Sequence, residues 1–180
     1  ATTSIVSAES RLQKILETGK IRVGTTGDWN PMTMKDPSTN EYKGFEIDIV
    51  TQLAEDMGVK LVLIPTEWKT LVTGIVSDKY DISTSASLSA KRALSTGYTN
   101  SYFKLATVPL TLKKNLFKFQ SWEDINKEGV KVAVTLGTTQ EQQAKEIFPN
   151  ATLTIIESPA RDYQEVLAGR ADVHITSNIE

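Results

Sequence analysis

Four stretches of this sequence carry side chains able to hold a small charged molecule. Ser85-Ala86-Ser87-Leu88-Ser89, followed by Lys91 and Arg92, offers hydroxyls and small side chains that let backbone N–H groups approach a ligand. The Arg92 guanidinium suits a carboxylate, which it grips through two parallel hydrogen bonds. Leu136-Gly137-Thr138-Thr139-Gln140-Glu141 has the form of a capping box, with Thr138 as N-cap and Glu141 three residues on. A helix start of that kind presents N–H groups and a positive dipole end to an anion. Thr25-Thr26-Gly27-Asp28-Trp29 and Thr66-Glu67-Trp68 each set an acid beside an indole, and both tryptophans fall on loops rather than inside apolar periods. As pocket walls they would hold an apolar body or a cation. Each feature has a plainer alternative: a serine-rich loop with a solvent-facing arginine, a cap that only caps, tryptophans packed in the core, acids facing water. Trp122 opens a helix far from these loops and reads as structural, and His174, between Val173 and Ile175 on a strand, reads as a lone satisfied histidine.

Other chemistries are disfavoured by what the chain lacks. It has no cysteine and one histidine, which removes thiolate catalysis and makes a metal centre or a histidine-based triad improbable. No lysine stands where a phosphate-binding loop needs one, so a nucleotide phosphate is disfavoured; no cofactor is expected. Lys+Arg 20 against Asp+Glu 22 leaves a net charge of -2 without a basic stripe; the Lys113, Lys114 and Lys118 cluster is a solvated surface, and nucleic acid is not an expected partner. No apolar run approaches the roughly 18 residues of a membrane span. Ala1-Thr2-Thr3-Ser4 lacks the regions of a signal peptide, as at a processed or chosen end.

Positioning these loops requires strands that end at them. Ser7 precedes Leu12, Ile15 and Leu16 on one helical face, closed by Gly19, and a strand Arg22–Thr25 follows. A polar loop runs from Thr26 to Tyr42. Ile47, Val50, Leu53, Ala54 and Met57 mark a helix stopped by Gly58; then come a strand at Leu61–Ile64, a helix at Leu71–Val76 and a strand at Asp81–Ser85. The alternation restarts after Leu110, with strands at Lys131–Val134, Thr152–Ile156 and Val173–Thr176 between helices starting at Ser121, Gln140 and Tyr163. Such alternation implies βαβ units around mostly parallel sheets, whose ligands sit beyond the carboxyl ends of the strands. Leu71–Ser85 weakly echoes Asp162–Thr176: in each, an apolar helix leads through a basic residue and a spacer to Asp, then a strand ending in hydroxyls. The expected organisation is two α/β lobes, 1–109 and 110–180, hinged near Pro109–Thr111.

An ordered set of motifs carries a family resemblance. Lys20–Thr25, Lys43-Gly44-Phe45-Glu46-Ile47-Asp48, Tyr80-Asp81-Ile82, Ser89-Ala90-Lys91-Arg92, Gly137–Glu141 and Ala168-Gly169-Arg170-Ala171-Asp172 follow one another as in family 3 extracellular solute-binding proteins. The resemblance spans Leu12 to Glu180. It implies a type II periplasmic-binding-protein fold, a monomer in the periplasm or another extracytoplasmic compartment, a small-molecule ligand and an ABC importer's membrane permease as partner. It also implies that Arg92 binds the ligand carboxylate, that Ser85, Ala86 and Ser87 form its polar loop, and that Thr138, Thr139 and Gln140 contact it from the second lobe. Trp68 would be a wall and Trp29 a cover. Amino-acid receptors usually carry an aspartate for the ligand ammonium where this chain has Ser177, and some basic-amino-acid receptors carry a first-loop acid where it has Thr26. The expected ligand is therefore a carboxylate, or a zwitterion whose cation is held by the tryptophans, Asp28 or Glu180. Thr25-Thr26-Gly27-Asp28-Trp29 is most similar to the branch containing cyclohexadienyl (prephenate/arogenate) dehydratases, in which Glu180 would be the general acid. The loop at Thr135–Glu141 departs from that enzyme's pattern and favours binding over dehydration. Chains of the family continue past the position of Glu180, so a first lobe without its returning strand is expected.

Overall fold

The computed structural model describes residues 10–180; the expected cap at Ser7 and the Ala1–Ser4 terminus lie outside them. Helix α1 (Arg11–Thr18) begins at Ser10, whose hydroxyl accepts from Gln13 N at 3.1 Å, and stops at Gly19 with φ 64°. Only Ile15 of its three apolar residues is buried, while Leu12 and Leu16 are exposed. Strand β1 (Lys20–Thr25) follows. The expected polar loop instead folds as a small antiparallel sheet of β2 (Asp28–Trp29), β3 (Thr33–Lys35) and β4 (Tyr42–Lys43). Its strands are too short to show a period of two in sequence. Helix α2 (Phe45–Met57), strand β5 (Lys60–Pro65), helix α3 (Leu71–Val76) and strand β6 (Ile82–Ser83) complete a parallel sheet of order β5-β1-β6. Ile15, Ile21, Val23, Val50 and Ala54 form its core. Strand β6 is shorter than the Asp81–Ser85 segment expected, because Ser85 turns out of the strand at φ 65°.

After the single turn α4 (Ala90–Ala93), the chain enters a second sheet at β7 (Thr107–Thr111). Short helix α5 (Trp122–Ile125), β8 (Lys131–Thr135), α6 (Thr139–Ile147), β9 (Thr152–Ile156), α7 (Asp162–Leu167) and β10 (Val173–Ser177) follow. The sheet order is β7-β10-β8-β9, with only β7 antiparallel, over a core of Ile125, Val132, Val134, Ala144, Phe148, Val173 and Ile175. Trp122 lies against Phe148, with ring centroids 5.6 Å apart. The expected hinge at Pro109–Thr111 thus falls within β7, paired along its length with β10.

The sequence echo has a structural counterpart. Asp81 N donates to Arg22 O at 2.9 Å while the Asp81 carboxylate accepts from Arg22 N at 2.8 Å. Asp172 N donates to Lys131 O at 2.8 Å while its carboxylate accepts from Lys131 N at 2.8 Å. In both sheets one aspartate, placed just after a helix, pins the strand it begins to the first parallel strand of that sheet.

Candidate solute-binding cleft

Between the two sheets' carboxyl ends lies a cleft of about 50 Å³, lined by residues from both. From the first lobe come Asp28, Trp29, Trp68, Ser85, Ser87 and Arg92; from the second, Thr135, Thr138, Thr139, Gln140, Arg161, Asp162, Ile175, Thr176 and Glu180. Ten of the twelve residues expected from sequence meet here. Ala86 and Ser177 do not: Ala86 lines a neighbouring cavity of the first lobe, and Ser177 is buried behind the Trp29 indole, accepting from its Nε1 at 3.2 Å. Glu67 is turned to the 3-10 helix Trp68–Thr70, in a capping box with Thr70. Thr26 Oγ1 is buried without a hydrogen-bond partner among the described residues.

The neighbouring cavity is larger, about 510 Å³, and lined by apolar groups such as Met32, Val72, Ile75, Ile82 and Phe103. Its charged groups, Arg11, Asp81 and Glu46, are occupied with protein partners. Orienting a ligand takes convergent polar groups, which the smaller cleft has.

Each wall follows from local folding. The hairpin carrying Asp28 and Trp29 is tied to the first sheet through a buried pair of hydroxyls, Thr25 Oγ1 and Thr33 Oγ1, 2.6 Å apart. Trp29 and Trp68 meet edge to face at 5.8 Å and 73°. Asp28 fixes the second indole, accepting from Trp68 Nε1 at 3.0 Å. Ser85 is held by Glu46, a carboxylate only 2 % exposed in the first turn of α2, which accepts from Ser85 N at 3.1 Å, from the Ser85 hydroxyl and from Tyr102 OH at 2.8 Å. Burial of the phenol, with the Glu46 carboxylate beside it, holds Tyr102 well above the usual tyrosine range. Glu46 does not line the cleft, and sequence reading assigned it no role. Its place in the Lys43–Asp48 motif was the available signal.

Arg92 follows the Ser89 cap of α4, spans the cleft and donates to Ser87 O at 3.0 Å and to Gly137 O of the second lobe at 2.9 Å. Burial draws its pKa down from the ordinary guanidinium value, offset in part by Tyr98. On the opposite side Thr138 Oγ1 caps α6 by accepting from Glu141 N at 3.1 Å, and Glu141 accepts from Gly137 N at 2.7 Å. Glu180 accepts from Arg161 Nη2 at 3.0 Å and from the Thr176 hydroxyl. Arg161, Asp162, Thr135, Ile175 and Thr176 are cleft residues that sequence motifs did not mark. His174, expected to be satisfied, is 4 % exposed with Nδ1 unpartnered among the described residues. Among those residues no cluster of His, Asp and Glu has the arrangement of a metal site, and no helix is long and apolar enough to cross a membrane.

Residues 21–159 match the family model of the bacterial extracellular solute-binding proteins, family 3. The chain belongs to that family. Among family 3 relatives, the cyclohexadienyl dehydratase of Pseudomonas aeruginosa is 34% identical over 181 residues, covering 100% of this chain and 67% of the enzyme. The ancestral amino-acid-binding protein AncCDT-1, a precursor of cyclohexadienyl dehydratase, superposes with a TM-score of 0.88 at 38% identity, over 94% of this chain and 75% of that one. A binding component of an ABC transporter from Wolinella succinogenes, complexed with lysine, gives 0.81 at 34% identity, over 88% of this chain and 68% of that one. The chain therefore spans about two thirds to three quarters of these proteins and shares their two-lobed type II architecture. A solute-binding role goes with this family.

Proposed function

We propose that this chain is the ligand-binding part of an extracytoplasmic receptor serving an ABC importer, which closes on a small zwitterion whose carboxylate is taken by Arg92. The lobes that close are the β1 sheet with its hairpin and the β10 sheet, the crossing between them lying before Thr107. The observation that carries the proposal is the position of Arg92. Its guanidinium sits where the lobes meet and donates to two carbonyl oxygens, Ser87 O and Gly137 O, with no carboxylate paired to it among the described residues. A guanidinium has five N–H donors, so those not engaged with the two carbonyls remain for an arriving carboxylate, which makes shorter and stronger ion-paired hydrogen bonds than a neutral carbonyl does. The lysine-bound Wolinella protein and the amino-acid-binding AncCDT-1 support an amino-acid-like ligand. Titration calorimetry of the full chain with amino acids tests the reading. Arg92→Ala is expected to weaken binding about 100-fold, the loss for a buried charged hydrogen-bonding partner. Unchanged affinity would remove Arg92 as the carboxylate anchor.

The relationship to the Pseudomonas enzyme and the presence of Glu180 in the cleft favour a second reading, dehydration of a cyclohexadienyl acid. A general acid must present a proton to its substrate. Both Glu180 oxygens instead accept, from Arg161 and Thr176. Product absorbance on incubation with prephenate or arogenate decides the matter: turnover lost in Glu180→Gln would replace the receptor reading.

A further inference from the structure

We infer that Asp162, backed by His174, takes the ligand's cation, and that this cation is an ammonium or guanidinium able to donate N–H bonds. The inference rests on the proposed receptor function and deepens it.

Three carboxylates line the cleft: Asp28, Asp162 and Glu180. Two are already engaged by protein donors. Asp28 accepts from Trp68 Nε1 at 3.0 Å and 3.2 Å on its two oxygens, and Ser158 Oγ lies 3.4 Å from one of them. Glu180 accepts from Arg161 on one oxygen and Thr176 on the other. Asp162 differs. Its Oδ1 accepts from the adjacent Tyr163 N at 2.8 Å, while Oδ2 has no hydrogen-bond partner among the described residues. Yet the residue is only 6 % exposed. Oδ2 is therefore a charged acceptor on a largely buried side chain that stays open to the cleft, where a cationic donor can complete it.

A second buried group points the same way. His174 Nδ1 lies 3.4 Å from Asp162 Oδ1 with no hydrogen bond of its own among the described residues, in a side chain 5% exposed. Arg161 is not available to neutralise the pair, because it is paired with Glu180 and lies over the Tyr163 ring at 5.4 Å. Ser177, at the end of β10, is committed to the Trp29 indole and buried. Asp162, the first residue of α7, enters the cleft from the same lobe.

This arrangement selects among ligands. A primary ammonium or guanidinium donates to Asp162 Oδ2 while its carboxylate reaches Arg92. A quaternary ammonium has no N–H to donate, and a dicarboxylate would place a second negative charge against Asp162.

The test is calorimetry on the full chain with L-lysine, glycine betaine and succinate as probes, alongside thermal melts without ligand. L-lysine is expected to bind, and betaine and succinate at least 10-fold more weakly. Asp162→Asn keeps the acceptor for Tyr163 N, so it should melt at or above the parent temperature while losing lysine affinity about 10- to 100-fold, the span of one charge-assisted hydrogen bond. Asp162→Glu should restore part of that loss. A lower melting temperature with unchanged lysine affinity would make Asp162 a structural residue and overturn the inference. If lysine binding needs Arg92 but tolerates Asp162→Asn, the receptor reading stands and this inference falls. If betaine or succinate binds as well as lysine, the inference also fails; if no probe binds, the amino-acid reading falls with it.

Discussion

Glu46 holds Ser85 in a left-handed conformation that only glycine adopts without cost, and it does so with a buried carboxylate accepting from three donors. Removing it leaves Ser85 N buried without an acceptor and frees the strained φ to relax. Glu46→Ala is expected to cost about 3 kcal/mol in urea unfolding, the order for losing charged hydrogen bonds and orphaning a buried donor. It should also weaken ligand binding through displacement of Ser85 from the cleft. Stability lost without any change in affinity would show that Ser85 makes no contact with ligand. Arg92, Trp29 and Trp68 were legible in sequence because their types are scarce and they stand at strand ends. Glu46 and Asp162 were not, since an acid in the first turn of a helix is also what a helix dipole favours.

At the scale of elements, one aspartate at the foot of the last parallel strand organises each sheet. Asp81 is 7% exposed. Burial alone would raise its pKa, but hydrogen bonds from the Arg22 guanidinium, Arg22 N and Arg11 outweigh it and hold the carboxyl below the usual range. A folded-state pKa below the unfolded one gives stability that is present above the unfolded value and lost as pH falls through the folded one. The contribution should therefore be complete near neutrality and fade below about pH 4. Unfolding free energies of the parent and Asp81→Asn from urea titrations should differ by about 2–3 kcal/mol at pH 7, and the gap should shrink as pH falls below about 4. A gap that persists in acid would show that packing, not charge, carries the role of Asp81. The Leu71–Ser85 and Asp162–Thr176 echo was readable because this pinning needs a fixed offset from helix to aspartate to strand. The hairpin of β2, β3 and β4 was not, because its pairing depends on contacts such as Thr25 with Thr33 across the sheet.

For the whole molecule, the cleft's small volume reflects lobes drawn together. Its roughly 50 Å³ leaves room for only about two water molecules. Arg92 reaches Gly137 O, Trp29 reaches Ser177, Ser158 lies 3.4 Å from Asp28, and Lys69 pairs with Glu157, all between the lobes. Gly137, at φ 83°, has no room for a Cβ: one there would collide with the Lys69 backbone of the other lobe. Gly137→Ala should disfavour closure, giving a larger radius of gyration in solution scattering with ligand present and an affinity reduced about 10-fold or more. A variant that closes and binds as the parent does would mean that the lobes do not meet at Gly137 in the bound state. By itself the sequence determined the alternation of helices and strands, the two sheets and most of the cleft-lining residues, because periodicity, caps and strand-end loops are local properties of the chain. Tertiary structure alone decided which of those side chains retain unused hydrogen-bonding capacity. Trp68 engages Asp28, Arg161 and Thr176 engage Glu180, and Ser177 turns to Trp29, across separations of 40, 19, 4 and 148 residues. Asp162 is left as the carboxylate in the cleft with an unengaged oxygen, since such competition for partners is settled only when distant segments are packed together.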